Sequence, residues 1–173
     1  MELVNIRPLG SLTSRYTRTN MKDSSNMNTQ EFVRERVSKY YWKDDINCAE
    51  TTLKVLSEHF NVGLNEDVFQ SCCGLPGAGQ CGALCGIVSG TIMFLGISGN
   101  RNKFQSKLIS EYCKRFTNDF KSKFKSVQCG VLRPEGFHPD NPPHICERLT
   151  CDALELSISL LSKFYSIQDY ESV

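Results

Sequence analysis

Apolar residues recur at helical spacing along most of this chain, and no stretch of useful length alternates apolar and polar residues as a strand would. The spacing predicts a first helix over roughly 28–42 and a second over about 48–60. Asn47, followed three residues later by a glutamate, is expected to cap the second helix, and Gly63 to end it. Two amphipathic helices are therefore expected at the start of the folded region.

The middle of the chain carries no charge from Val68 to Asn100. Its first part, up to residue 80, is rich in glycine and is predicted to be a loop. Residues 81–97 are the most apolar segment, which we interpret as a buried helix. A transmembrane span is the alternative, but the apolar part is short and no second span follows. One face of this helix is bare enough for another helix to approach closely, because glycine recurs there: Gly82, Gly86 and Gly90.

Two further helices are predicted after this segment. Aromatic residues at four-residue steps predict a long amphipathic helix over 101–127. A proline-rich loop then leads to a last helix over about 144–165. The predicted fold class is all-α, with about five helices packed around the glycine-rich apolar helix at the centre.

Length and net charge indicate a single folded domain with no charge bias toward nucleic acid or membranes. The chain has 173 residues, enough for one domain with its own core. Its formal net charge is +1, so no global field favours nucleic acid or a membrane surface. Residues 1–27 are polar and lack apolar periodicity. We therefore predict a disordered N-terminal tail over 1–27 and a cysteine-rich helical domain over 28–167.

Cysteine is the outlier of the composition, with nine residues, an odd number that cannot pair completely within one chain. No secretory signal is visible, so a cytoplasmic, reducing location is the default. Cysteines there more often serve catalysis or metal binding than structural bridges. The N-terminal tail has arginines and hydroxyl residues but few acids, so it also resembles an organelle transit peptide. Translation from Met21 or Met27 is a further alternative.

Four cysteines are the main candidates for a functional site. Cys48, Cys81 and Cys146 fall at the first turn of three predicted helices, and Cys129 falls in the loop after the long amphipathic helix. The partial positive charge of a helix N-terminus stabilises a thiolate and is expected to lower the thiol pKa. If these helix ends converge, they form a site suited to sulfur anions.

Three further cysteines lie close to this set in the sequence. Cys85 follows Cys81 by one predicted helical turn, so both sulfurs would share a face and could form a dithiol pair or bind a metal together. Vicinal Cys72 and Cys73 lie in the glycine-rich loop before that helix. Nothing in the spacing decides whether these three take part.

The other two cysteines and one histidine receive simpler interpretations. Cys113 and Cys151 are interpreted as buried, inert residues, since a lone cysteine usually behaves as a small apolar side chain. His144 lies two residues before Cys146. It is interpreted as a surface-loop histidine, with a metal ligand or a group that tunes Cys146 as the alternative.

The segment Cys81-Gly82-Ala83-Leu84-Cys85-Gly86 contains a C-G-A-x-x-G core that resembles the C_GCAxxG_C_C family, which is named for a redox role. One cysteine upstream and two downstream match the remaining family cysteines in order, and the resemblance covers roughly residues 31–165. It implies a compact helical redox domain. The implied redox-active thiols are Cys48, Cys81, Cys129 and Cys146, and the implied structural residues are Gly82, Ala83 and Gly86.

Two features depart from the family pattern and leave the chemistry open. Cys85 lies inside the motif and Cys72-Cys73 lies before it, so the site could hold more than four cysteines. Four thiolates are the ligand set of 2Fe–2S and 4Fe–4S clusters, and also of structural zinc. We expect an iron–sulfur cluster for electron transfer, or thiol/disulfide cycling without metal. Its cofactor and metal ligands would be Cys48, Cys81, Cys129 and Cys146, with Cys85, Cys72 and Cys73 as further cofactor ligands.

Other functions are less well supported by the sequence. No hydrolase or nucleotide-binding fingerprint is present, so any activity is expected to be that of an oxidoreductase or electron carrier. The alternative is a zinc-stabilised helical interaction module. The long amphipathic helix has a basic face that is either solvated or a docking surface for an acidic redox protein. Its candidate lysines are Lys103, Lys107, Lys114, Lys121 and Lys123. The family resemblance adds an association with a membrane transport system.

Overall fold

The computed structural model describes residues 28–166, so the predicted N-terminal tail and residue 167 lie outside the described residues. The described part is mostly helical and has no named strand, which confirms the all-α fold class. The helices, in chain order, are α1 (Thr29–Ser38), α2 (Cys48–His59), α3 (Glu66–Gln70), α4 (Gly77–Gln80), α5 (Gly86–Arg101), α6 (Ser106–Phe124), α7 (Cys129–Leu132) and α8 (Glu147–Ser166).

The first two helices form where the sequence predicts them. The Asn28 side chain accepts a hydrogen bond from the backbone of Gln30 and caps α1. A π-helical turn, Lys39–Lys43, extends α1 and buries Tyr40 and Tyr41. Wider turns of this kind re-aim side chains, and they often occur near functional sites. The extended α1 thus delivers two aromatic rings to the core beside the start of α2.

Close contact between α2 and α5 positions the rest of the molecule. A Cβ atom on Gly90 would lie 2.7 Å from the Ala49 carbonyl oxygen and 3.0 Å from the Thr52 Cβ. A Cβ on Gly86 would lie 2.5 Å from the Cys48 Sγ. Only glycine lets the two backbones approach so closely. Helices α6 and α8 also pack against α5.

Helix α5 begins at Gly86, five residues later than predicted. Ala78 and Gln80 have positive φ angles of 52° and 63°, and Gly82 has a φ angle of 73°. Such left-handed residues cannot continue an α-helix. The chain instead runs extended into Cys85, the N-cap of α5. The prediction that the apolar helix starts near residue 81 is therefore wrong.

Local backbone features explain the other differences. The long amphipathic helix begins at Ser106 because Lys103 is left-handed, and it ends at left-handed Lys125. The region predicted as loop before residue 80 contains the short helix α3 and a 3-10 turn, Ser71–Gly74. It also contains α4, a single turn whose residues all have positive φ angles. These elements are too short for apolar periodicity to reveal. Within the described residues, no helix combines the length and apolar character that a membrane crossing requires.

The contact between α2 and α5 predicts opposite effects for two alanine substitutions in one helix. Gly90→Ala inserts a methyl group against backbone and is expected to lower the free energy of unfolding by about 2 kcal/mol. Gly96→Ala is the matched control, because no atom lies within 4 Å of its new Cβ. It is expected to raise stability by about 0.5–1 kcal/mol through helix propensity. Urea unfolding measures both, and equal effects would contradict the close packing.

Candidate functional site

A cavity of about 280 Å³ opens where α2, α5 and α7 begin and where the chain enters α8. Its wall includes Tyr41, His144 and Arg133 together with apolar side chains. Cysteines from four separate parts of the chain line it. The cysteines that line this thiol cavity are Cys48, Cys85, Cys129 and Cys146.

Each of these cysteines sits at or just before a helix start. Cys48 is the first residue of α2, where the Asn47 side chain accepts hydrogen bonds from the backbone of Ala49 (3.0 Å) and Glu50 (3.1 Å). The predicted cap is thus confirmed. Cys85 is the N-cap of α5, and Cys129 is the first residue of α7. The Cys146 carbonyl accepts the backbone N–H of Thr150 at 2.8 Å, so Cys146 directly precedes α8. Helix ends therefore converge on the cavity.

A short antiparallel backbone pairing holds Cys85 and Cys129 together. The Cys85 N–H donates to the Val127 carbonyl at 2.9 Å, and the Cys129 N–H donates to the Ala83 carbonyl at 2.6 Å. The Gly130 N–H donates to the Gly82 carbonyl at 2.9 Å. A Cβ on Gly82 would lie 3.4 Å from the Gly130 Cα. Gly82, the first glycine of the C-G-A-x-x-G segment, thus permits both a left-handed turn and a close backbone contact.

Cys81 lies outside the cavity wall. It is exposed, and its Sγ lies 3.6 Å from the Gly79 carbonyl oxygen. The inference that Cys81 and Cys85 share a helix face is wrong, because Cys81 precedes α5 and is not part of it. The structure places Cys85 beside the other three thiols instead. The sequence carried one usable signal, since Cys85 directly precedes the uncharged, mostly apolar residues 86–98.

The vicinal pair also lies away from the cavity. Cys72 is buried in the 3-10 turn, with its Sγ 3.5 Å from the Val68 carbonyl oxygen. Its own carbonyl accepts a hydrogen bond from the Asn47 side chain at 3.3 Å, which ties this turn to the start of α2. Cys73 is exposed. The Cys72 backbone therefore contacts the start of α2, and neither Cys72 nor Cys73 lines the cavity.

Cys113 and Cys151 also lie away from the cavity. Cys151 is buried in the core, and Cys113 is half-buried on α6 against the core. Neither side chain belongs to the cavity wall. Their surroundings agree with their interpretation as small apolar side chains.

Burial sets the protonation of the four cavity thiols. Desolvation raises the pKa of Cys48 well above its ordinary value, and the neighbouring Cys85, Cys146 and Cys129 add to the rise. Burial likewise raises the pKa of Cys85 to about 11, although the N–H groups of Ile87 and Val88 at the start of α5 act against it. The prediction that helix starts lower these thiol pKa values is wrong, since desolvation outweighs the helix terminus.

Arg133 offsets part of this effect on one side of the cavity. Burial raises the pKa of Cys129 and of Cys146, and the positive charge of Arg133 acts in the opposite direction on both thiols. The sequence gave no signal for Arg133, because it lies in a proline-containing loop with no recognisable motif. Of these two thiols, Cys129 is buried and Cys146 is only half-buried.

His144 is part of the cavity wall and not a surface residue. Its ring stacks on Tyr41 at a centroid distance of 4.5 Å and meets the edge of Trp42 at 5.2 Å. Its Nε2 lies 3.1 Å from the Asp45 carboxylate, and its side chain is 14 % exposed. A left-handed backbone, with φ 55°, turns the residue inward. The interpretation of His144 as a surface-loop residue is therefore wrong.

The four cavity thiols are the candidate ligands for a metal. Four thiols match the ligands of an iron–sulfur or zinc site in number and type. Within residues 28–166, however, no three or more Cys, His, Asp or Glu side chains are arranged so that they could hold one metal ion. All nine cysteines are free thiols in this structure. The side-chain arrangement described here is that of a thiol cluster.

Comparison with known proteins yields one match. Residues 46–160 match the model of the family described as "Putative redox-active protein (C_GCAxxG_C_C)". The matched segment contains all four cavity cysteines and Cys81. No curated protein and no solved structure matches the chain.

Thiol exposure predicts a clear order of alkylation in the reduced, folded protein. Cys73 and Cys81 are exposed, whereas Cys85 and Cys129 are only 4 % and 5 % exposed. A bulky maleimide is expected to modify the exposed pair first, with the cavity pair at least about tenfold slower, because it must wait for local opening. Peptide-resolved mass spectrometry measures each rate, and unfolding in urea should equalise them. Rapid labelling of Cys85 with protection of Cys81 would contradict the placement of these residues.

Proposed function

Because the chain belongs to the C_GCAxxG_C_C family, we propose that it is a redox protein whose reaction is thiol–disulfide exchange in the cavity. One observation carries this proposal. Cys48, Cys85, Cys129 and Cys146 line one cavity, and the other three thiols all act on the pKa of Cys48. A disulfide needs only a pair of neighbouring sulfurs, so such a cluster offers a resolving partner for any thiol that is oxidised first.

Cys146 is the proposed attacking thiol. It is half-buried at the cavity, and Arg133 opposes the rise in its pKa. Its thiolate attacks one sulfur of a substrate disulfide, which forms a mixed disulfide and releases one substrate thiolate. Cys48 or Cys129 then attacks the Cys146 sulfur, which forms the protein disulfide and releases the second thiolate. Two protein thiols are oxidised and one substrate disulfide is reduced, and the two protons end on the released thiols.

An iron–sulfur cluster is the second candidate, favoured by the convergence of four thiols on one cavity. Its ligands would be Cys48, Cys85, Cys129 and Cys146, and the cluster would supply one-electron transfer when bound. Because these side chains are not arranged around a common centre, the proposed mechanism includes no step through a metal. Anaerobic purification with iron, sulfide and zinc analysis distinguishes the two candidates. A brown protein with stoichiometric iron would support the cluster, and stoichiometric zinc would support an interaction module.

A partner for the reaction is proposed from the surface of α6. Lysines of this helix and of the turn before it are exposed, which allows contact with an acidic protein that supplies or removes electrons. The Lys123 ammonium also donates to the Asp152 carbonyl at 3.1 Å and thereby ties α6 to α8. The lysines in this proposed docking surface are Lys103, Lys107, Lys114, Lys121 and Lys123.

Redox titration in mixtures of reduced and oxidised dithiothreitol tests the main proposal. The metal-free protein is expected to titrate as a two-electron couple, with about 30 mV for each tenfold change in ratio. Mass spectrometry should find a disulfide between cavity cysteines. Cys146→Ala should abolish its formation by substrate disulfides, whereas the matched variant Cys113→Ala, which removes a thiol outside the cavity, should leave it intact. A couple that survives in Cys146→Ala would contradict the assigned role.

The raised pKa of Cys146 predicts the pH dependence of its reaction. The thiolate is the nucleophile, and its fraction rises tenfold per pH unit below the pKa. Exchange at Cys146 is therefore expected to accelerate about tenfold per unit between roughly pH 7 and 9. Rates with a neutral disulfide, resolved by peptide mass spectrometry, measure this slope. A rate that is flat across this range would show a thiol already ionised at neutral pH.

A further inference from the structure

Arg133 lines the cavity and is held by contacts within its own loop. Its backbone N–H donates to the Cys129 carbonyl at 2.7 Å, so the residue directly follows the turn of α7 that carries Cys129. Its Nε donates to the Gly136 carbonyl at 2.7 Å. Its guanidinium lies over the Phe137 ring, 4.5 Å from the centroid. The charge is therefore fixed in place beside two thiols.

This guanidinium has no carboxylate partner among residues 28–166. The ion pairs there involve Arg36, Lys54, Arg115 and His144. Asp45, the acid in the cavity wall, is paired with His144 instead. Glu135 is exposed and close enough to act on Cys146, but it forms no ion pair with Arg133. Arg133 is a half-buried guanidinium in the cavity wall, and its side-chain hydrogen bond to Gly136 uses only its Nε. Its two terminal nitrogens are therefore a ready donor pair for a planar anion.

We propose that Arg133 forms an anion-binding subsite beside Cys146, and that the substrate is a small disulfide carrying a carboxylate close to its S–S bond. This inference rests on the proposed thiol–disulfide function. The cavity volume of about 280 Å³ lies just below the usual range for ligand pockets, about 300–1,000 Å³, and so limits the size of the substrate. The carboxylate binds the guanidinium fork, which places the adjacent sulfur near Cys146.

The reaction balances with this substrate. The Cys146 thiolate displaces one carboxylate-bearing thiolate from the substrate. Cys146 then forms a mixed disulfide with the other half of the substrate, whose carboxylate stays bound to Arg133. Attack by Cys48 or Cys129 on the Cys146 sulfur releases that half as the second thiolate. In total, two cysteine thiols and one substrate disulfide give one protein disulfide and two substrate thiols, with no other oxidant or reductant.

A charge series of disulfides tests the subsite. The probes are dithiodipropionate (dianion), hydroxyethyl disulfide (neutral) and cystamine (dication), which are similar in length and flexibility. Each exchange rate at Cys146 is divided by the rate of the same probe with mercaptoethanol, because this removes differences in leaving group. Peptide-resolved mass spectrometry reads Cys146 separately from exposed Cys73 and Cys81. The wild-type chain is expected to prefer the dianion over the neutral probe by about tenfold, and to react slowest with the dication.

Three variants identify the source of that preference. Arg133→Gln should reduce the preference for the dianion to about twofold or less. Arg133→Lys keeps the charge but not the fork or the Gly136 contact, and should retain part of the preference. Arg115→Gln is the matched control, because it removes an equal charge from exposed α6, where Arg115 pairs with Asp119. It should leave the preference unchanged.

The outcomes separate this inference from the proposed function. No reaction at Cys146 with any probe would overturn the thiol–disulfide function itself. Reaction without charge preference in the wild-type chain would overturn the subsite alone. An equal loss of rate for all three probes in Arg133→Gln would also overturn it, since that result assigns Arg133 only to activation of the thiol. Circular dichroism of each variant establishes that the helices remain folded.

Discussion

The backbone contact between α2 and α5 is the constraint on which the site depends. At Gly86 and Gly90 the two helices approach so closely that a methyl group would collide with the Cys48 sulfur or with the Ala49 carbonyl. This contact brings the first residue of α2 next to the N-cap of α5, and therefore Cys48 next to Cys85. The site therefore requires glycine at positions 86 and 90 in addition to the four cysteines.

The sequence predicted the long helices because each buries one apolar stripe, and a period of 3.6 residues is visible over ten or more positions. It predicted a loop up to residue 80 but missed that residues 81–85 continue this loop, with left-handed Gly82 and extended Cys85 before α5. Nothing in the composition of residues 81–85 separates them from the apolar helix that follows. This error also affected the predicted site, because the later start of α5 places Cys85 at the cavity and Cys81 outside it.

The predicted convergence of cysteines followed from helix ends, and three of the four main candidates do line the cavity: Cys48, Cys129 and Cys146. The predicted protonation was wrong because the sequence shows a helix terminus but not its solvation. A terminus contributes about half a unit charge at one end, whereas burial removes hydration from the entire thiolate. The pairing of residues 82–85 with 127–130 is equally invisible in the sequence, since it joins distant backbone groups without a strand pattern.

Raised thiol pKa values have a consequence for how such a cavity works. Four thiolates around one cavity of this size would repel each other strongly, and protonation of the thiols removes this repulsion. Oxidation of two neutral thiols to a disulfide then changes no net charge in the cavity. The charges in its wall, those of Arg133 and Asp45, remain the same before and after the proposed reaction. A field that does not change with oxidation state can select the substrate without favouring either redox form of the cysteine pair.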